Sequence, residues 1–151
     1  MIIGLEVRHF KAYKNINFIP VGHKDTHNFV AFSGYNGVGK SSILESLNTF
    51  LNNGKWLLTK ESAKSDAYIC PIFLIPKDKV TRLKSDFANL SEIFWTIDES
   101  NKKRSDFFAL RKKILDKRNT HYLLFVGEDF DHNLYVPNHL RADELIKDLK
   151  I

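Results

Sequence analysis

The densest chemistry in this chain lies in Gly34-Tyr35-Asn36-Gly37-Val38-Gly39-Lys40-Ser41, followed at once by Ser42. The spacing G-x-x-x-x-G-K-S is that of a loop that wraps phosphates. Gly34, Gly37 and Gly39 let the backbone approach an anion without a Cβ in the way. Successive backbone N–H groups, with the positive end of a helix starting near Gly39, then surround the charge. Lys40 adds a full positive charge with reach to β- and γ-phosphates. The Ser41 hydroxyl is placed to ligate Mg²⁺, and that of Ser42 to donate to an α-phosphate. The chemistry implied is binding of a nucleoside triphosphate, ATP with Mg²⁺. A plain glycine turn with the same letters is the competing reading. Tyr35 either packs on the nucleotide or covers the turn.

Other candidates are weaker. Ile93-Phe94-Trp95-Thr96-Ile97 reads as a strand that ends in Asp98-Glu99. In a Walker B element Asp98 would hold Mg²⁺ through water and Glu99 would orient the attacking water. A strand leaving its sheet through an acidic turn explains the same residues and is the favoured reading, since Thr96 interrupts the apolar run. Glu128-Asp129 is a second acidic pair with less support. His23 and His27 stand four apart in a polar loop without cysteine or carboxylate support, a poor metal site. Between Asn101 and Arg118, eight basic side chains face two acidic ones, a local net charge of +6 in a chain whose total is +5. Such a run is more often the solvated face of a helix than a phosphate-backbone contact. DNA binding through Lys102 to Arg118 is the less favoured alternative.

The elements around the loop fit its chemistry. Upstream, Asn28 to Ser33 has the length and content of a buried strand. Downstream, Ile43, Leu44, Leu47, Phe50 and Leu51 recur at helical spacing, and Asn53-Gly54 supplies residue types that close a helix in the left-handed conformation. Ile2 to Arg8 and Ile16 to Pro20 alternate as strands, with a turn or strand edge at His9 to Lys14. Ala67 to Pro76 is the most apolar stretch, and its two prolines point to an edge strand or an irregular packed segment. A turn of helix is expected at Ser85 to Leu90 and a basic helix from Ser105 to Asp116, with Phe107, Phe108, Leu110, Ile114 and Leu115 on its inner side. His121 to Val126 reads as a strand ending at Gly127, and Ala142 to Lys150 as an amphipathic helix. Trp56, Trp95 and the phenylalanines read as core.

With 151 residues, 43% hydrophobic and 27% charged, the composition is that of one soluble globular domain or part of one. No apolar run approaches a membrane span, and Met1 to Glu6 does not resemble a signal peptide. Cys70 is the only cysteine, so a cytoplasmic location is the simplest expectation.

Phe10-Lys11-Ala12-Tyr13 after a leading strand, followed by Asn36-Gly37-Val38-Gly39-Lys40-Ser41-Ser42-Ile43-Leu44-Glu45, resembles the opening of ABC-class P-loop ATPases of the SMC/RecF type. That group includes double-strand-break repair ATPases and OLD-type ATPases of phage defence. The resemblance covers about residues 2–54, a third of the chain. It implies an α/β, P-loop NTPase-like lobe with strands packed around the strand–loop–helix unit. It adds Asn36 to the nucleotide-binding residues, and a basic residue near the nucleotide, by position Lys11 or Arg8. Members of this group complete their site with a glutamine loop, an L-S-G-G-like segment, a Walker B strand and a switch histidine. This chain contains no glutamine, Leu90-Ser91-Glu92 lacks the glycines, and Asp98-Glu99 follows Lys40 too closely for that family's Walker B. Residues 1–151 are therefore expected to form a single, incomplete N-terminal ATP-binding lobe, with 1–54 as its matched core and 55–151 as an α/β remainder. A missing C-terminal lobe and a second ATPase head would be its partners, in DNA metabolism or anti-phage defence. A nucleotide-dependent scaffold module and a small self-contained P-loop enzyme are the alternatives; against a GTPase, no N-K-x-D element is present.

Overall fold

The sheet is organised around Tyr68–Pro76, the strand with the longest unbroken buried run. The computed structural model describes residues 1–21, 32–35, 39–60, 62–80, 83–100, 105–136 and 140–141. In chain order the elements are β1 (Ile2–Arg8), β2 (Asn17–Pro20), α1 (Lys40–Asn52), β3 (Tyr68–Pro76), α2 (Ser85–Thr96), α3 (Ser105–Lys113), β4 (His121–Phe125), β5 (Gly127–Asp129), β6 (Leu134–Val136) and β7 (Leu140–Arg141). They form a mixed α/β structure whose sheet runs β2-β1-β3-β5-β6-β7, with β4 also paired to β3. Every described pairing is antiparallel. Of the strand expected before the loop, residues 28–31 lie outside the described residues, as does the helix expected at 142–150, while Phe32 and Ser33 carry no strand pairing.

β3 is thus central, not the edge or irregular segment its prolines suggested. β1 pairs along one side of it, and β4 and β5 along the other. In an extended strand the N–H and C=O of one residue point to the same side. The Pro71 carbonyl accepts from the Val126 N–H at 3.2 Å, so the donor that proline lacks faces that side too. Val126 is the residue between β4 and β5, where the ladder is already interrupted. Pro76 is the last residue of the strand, where a missing donor matters least.

Both faces of the sheet are covered. α1 sets Phe50 against Phe73 of β3, with ring centroids 6.3 Å apart. Phe94 of α2 and Phe107 of α3 lie 4.4 and 5.0 Å from Phe125 of β4. Phe125 is the cross-strand partner of Ile72, and neighbouring residues of a strand point to opposite faces. Hence α1 lies on one face and α2 and α3 on the other, which explains the buried runs at Ile3–Val7 and Ile69–Ile75. α2 also closes the outer side of β4. The Leu123 N–H donates to the Ser91 hydroxyl at 2.9 Å, and Trp95 Nε1 donates to the His121 carbonyl at 3.3 Å.

Four expectations from the sequence pattern are corrected. Ile93 to Thr96 is not a strand but the last turn of α2, whose buried residues Phe87, Leu90, Ser91, Phe94 and Trp95 follow helical spacing. On α1, Leu44 and Leu51 are 62% and 50% exposed, while Ser42, Ser46 and Thr49 are buried beside Ile43 and Phe50. The buried hydroxyls are satisfied at home: Ser46 donates to the Ile43 carbonyl at 2.7 Å and Thr49 to that of Glu45 at 2.9 Å. Leu51 instead borders an apolar groove with Met1, Ile2, Phe73, Ile75 and Val80. Leu115, expected on the inner side of the basic helix, is exposed. The strand expected over His121 to Val126 ends at Phe125, and Gly127, expected to close it, opens β5.

Candidate functional site

α1 begins at Lys40, directly after Gly39, and that junction sets the geometry of the site. Gly39 is the N-cap with φ 95° and ψ 9°, a region that L side chains rarely adopt. Its carbonyl accepts the first helical bond from the Ile43 N–H at 3.2 Å. No side chain caps this end among the described residues, and the first turn holds no acidic residue. Among the described residues, the first N–H groups and the positive end of the helix dipole therefore meet no capping side chain and no first-turn carboxylate, an arrangement suited to an anion.

Lys40 folds back over the loop, its ammonium donating to the Tyr35 carbonyl at 2.8 Å and also to that of Gly34. These are exposed contacts to neutral acceptors, with no carboxylate in the set. Ser41 is exposed and Ser42 buried, so the hydroxyl expected to meet Mg²⁺ is open to solvent while the other faces inward. The Tyr35 ring is 89% exposed. Asn36, Gly37 and Val38 lie outside the described residues, as do His23 and His27. An uncapped helix start, an ammonium on neutral carbonyls and an exposed hydroxyl together fit a phosphate group with its metal ion. Gly34, Gly39, Lys40, Ser41 and Ser42 are the described residues that would hold it. A bound Mg²⁺ would neutralise part of the phosphate charge.

The second part of the site is the turn after β1. His9 and Lys11 both have left-handed backbones, φ 58° and 47°. Phe10 and Tyr13 exchange backbone hydrogen bonds, the Phe10 N–H to the Tyr13 carbonyl at 3.1 Å and the reverse at 2.9 Å. The turn is tied to the segment after α1: the Lys11 N–H donates to the Leu57 carbonyl at 2.8 Å and the Thr59 N–H to that of His9 at 3.0 Å. Phe10 is fully buried, edge-on to Trp56 at 5.7 Å. The Lys11 ammonium pairs with Glu45 of α1. Arg8, the other basic candidate, stands 3.8 Å from Asp66.

Sequence reasoning missed Tyr13. Its hydroxyl donates to the Gly39 carbonyl at 3.2 Å, across 26 residues of chain. The only signal available was its place as the last residue of the Phe10-Lys11-Ala12-Tyr13 element.

Asp98 and Glu99 stand on an exposed turn after α2, so no strand presents them. Asp98 accepts from the Ser100 N–H at 3.0 Å, closing the turn. Glu99 sits 3.0 Å from Lys112 and 3.5 Å from Arg111, and these donors, Lys112 foremost, hold its carboxyl below the usual range. Arg111 is itself 7% exposed and donates to the carbonyls of Phe94 at 3.1 Å and Ile97 at 2.8 Å, stacking on the Phe108 ring. Arg118 Nε donates to Glu92 at 3.1 Å. Much of the basic run is thus bound within the fold, while Lys102, Lys103 and Arg104 lie outside the described residues. The other acidic pair divides its roles. Glu128 is buried against His132, and burial raises its carboxyl above the usual range. Asp129 accepts from the N–H groups of Asp131 and Asn133, each at 2.9 Å.

No helix among the described residues is long and apolar enough to cross a membrane. A family model for the AAA ATPase domain matches residues 1–146. No curated protein and no solved structure matches the chain. The family match runs through the uncapped, glycine-led helix and on across the whole antiparallel sheet, and so this chain belongs to the AAA ATPase domain family.

Proposed function

We propose that this chain binds Mg-ATP through Gly34, Asn36, Gly37, Gly39, Lys40, Ser41 and Ser42, with Lys11 beside the nucleotide. In this reading it is the N-terminal ATP-binding lobe of an SMC/RecF-like ATPase of the cytoplasm, working in DNA metabolism or phage defence. The observation that carries it is the start of α1: a left-handed Gly39, no acidic residue in the first turn, and an ammonium resting on neutral loop carbonyls. A phosphate replaces those two carbonyls with a stronger, charge-assisted partner. Lys11 reaches the nucleotide by leaving Glu45, an ion pair of modest worth because both side chains are partly exposed.

Hydrolysis is the more demanding step. Glu99 is paired with Lys112 and Arg111, so as a base it must first be released. That supports ATP binding by the isolated chain with slow or no turnover, catalysis being completed by a second lobe and an opposing head. DNA contact by this lobe would use Lys113 and the basic residues before α3, because Arg111 is committed to the core.

Calorimetry with Mg-ATP tests the binding reading. Lys40→Ala is expected to weaken affinity about 10- to 100-fold, the scale of a hydrogen bond to a charged group. Equal affinity in the two proteins would remove the loop as the nucleotide site. A robust turnover rate abolished by Glu99→Gln would show instead that Asp98-Glu99 acts in catalysis.

A further inference from the structure

Tyr13 has no part in the phosphate-loop motif, yet it is the described side chain most intimately set against that motif's last glycine. A Cβ built on Gly39 would lie 3.0 Å from the Tyr13 hydroxyl and 3.1 and 3.5 Å from ring carbons. The ring therefore occupies the space that a side chain at position 39 would take. The hydroxyl meanwhile donates to the Gly39 carbonyl at 3.2 Å, the same oxygen that accepts from the Ile43 N–H.

We propose that Tyr13 is a positioning residue for the phosphate loop, orienting and polarising the peptide between Gly39 and Lys40. The inference rests on the nucleotide reading above. In a trans peptide the carbonyl and the N–H point in opposite directions. Holding the Gly39 oxygen toward Tyr13 and the helix turns the Lys40 N–H away from both, and it is one of the donors that a helix start leaves unpaired. A hydrogen bond accepted by a carbonyl also strengthens the donor at the other end of the same peptide. Gly39 needs such a brace because its backbone, with no Cβ, is free to take other conformations.

The brace is itself rigid. Tyr13 closes a turn that holds two left-handed residues, is bonded to Leu57 and Thr59, and is pinned beneath by buried Phe10. Thr59 Oγ1 adds a bond to the Lys11 carbonyl at 2.8 Å. The loop's orientation is thereby coupled to β1 and, through it, to the centre of the sheet.

Tyr13→Phe keeps the ring and removes the hydroxyl. Two measurements on the full chain read the result: Mg-ATP affinity by calorimetry, well below the melting temperature, and the Lys40 backbone amide in ¹H–¹⁵N spectra without nucleotide. Affinity is expected to fall about three- to tenfold, the range of one neutral hydrogen bond. The Lys40 proton resonance is expected to move upfield as its peptide loses polarisation. A contact that only stabilised the fold would lower the melting temperature and leave both readouts in place, and that result would overturn the proposal. Should the wild-type chain bind no ATP, the nucleotide reading fails on its own. The Lys40 resonance then still decides whether Tyr13 orients this peptide, and an unmoved resonance overturns that too.

Discussion

Lys40 and Arg111 make the same kind of contact and serve opposite ends. Each cation donates to two main-chain carbonyls: Lys40 to those of Gly34 and Tyr35, Arg111 to those of Phe94 and Ile97. The carbonyls above Lys40 belong to an exposed loop, and no carboxylate among the described residues is paired with it. Arg111 is buried between α2 and α3, stacked on Phe108, with Glu99 as counter-ion at 3.5 Å. A cation resting on exposed, neutral acceptors is available to an incoming anion. One that satisfies the last turn of a helix and carries its own counter-ion is part of the fold. Charge and motif say little about which is which; burial and partners decide.

The comparison is broken most directly by removing each cation in turn. Arg111→Ala leaves the carbonyls of Phe94 and Ile97 without their donor and opens space beside Phe107 and Phe108. The expected loss of stability is about 3 kcal/mol, from two hydrogen bonds to a charged donor, measured by chemical denaturation. Lys40→Ala, by contrast, should leave unfolding almost unchanged and appear only in ATP affinity. Comparable destabilisation by the two substitutions would erase the distinction.

A smaller effect sharpens the same contrast at a buried anion. Glu128 lies almost wholly out of solvent, its Oε2 has no hydrogen-bond partner among the described residues, and burial raises its carboxyl despite the bond to His132. A raised carboxyl favours the protonated folded state, so its contribution to stability is greatest at low pH and is lost as pH rises through the folded-state value. Glu128→Gln is therefore expected to stabilise the protein at neutral pH by about 1 kcal/mol. That gain should shrink as pH falls into the ordinary carboxylate range. Thermal melts at several pH values read it; a variant less stable than wild type at neutral pH would mean that the His132 pair outweighs the burial.

The smallest effect belongs to Glu99. Its carboxyl is lowered by Lys112 and Arg111, so its stabilising contribution is present above the ordinary carboxylate range. It is lost only as pH falls below that range, through the lowered folded-state value. Because the group is solvent-exposed, Glu99→Gln should flatten the acid side of the stability profile only slightly. A large change there would mean that Glu99 is more deeply engaged than its exposure indicates.

How much of this was legible before folding depends on how far each feature reaches along the chain. β1, β2 and α1, with its left-handed end at Asn53 (φ 50°), rest on local alternation, spacing and end signals, and all were readable. The run from Ile93 to Ile97 was not, because a short apolar segment reads equally as strand or helix. Only its continuation back to Phe87 and Leu90 in one buried stripe shows the period. β3 misled through its prolines: the missing N–H of Pro71 is harmless because Val126 interrupts the neighbouring ladder 55 residues later, and that of Pro76 because the strand ends there. The exposure of Leu44 and Leu51 went against hydrophobic spacing, since Ser46 and Thr49 return their hydroxyls to helix carbonyls and pack inward.

By itself the sequence determined the phosphate-loop motif and the helix that follows it. The anion binding proposed there would depend on backbone N–H groups, glycine conformations and one lysine within a single contiguous segment, so its requirements are written in adjacent letters. Only the tertiary structure decided that the Tyr13 hydroxyl bonds to the Gly39 carbonyl, that Lys11 faces Glu45, and that Arg111 belongs to the core. Each of those roles is a matter of which donors and acceptors long-range packing brings together and shields from water, and a linear pattern carries no record of it.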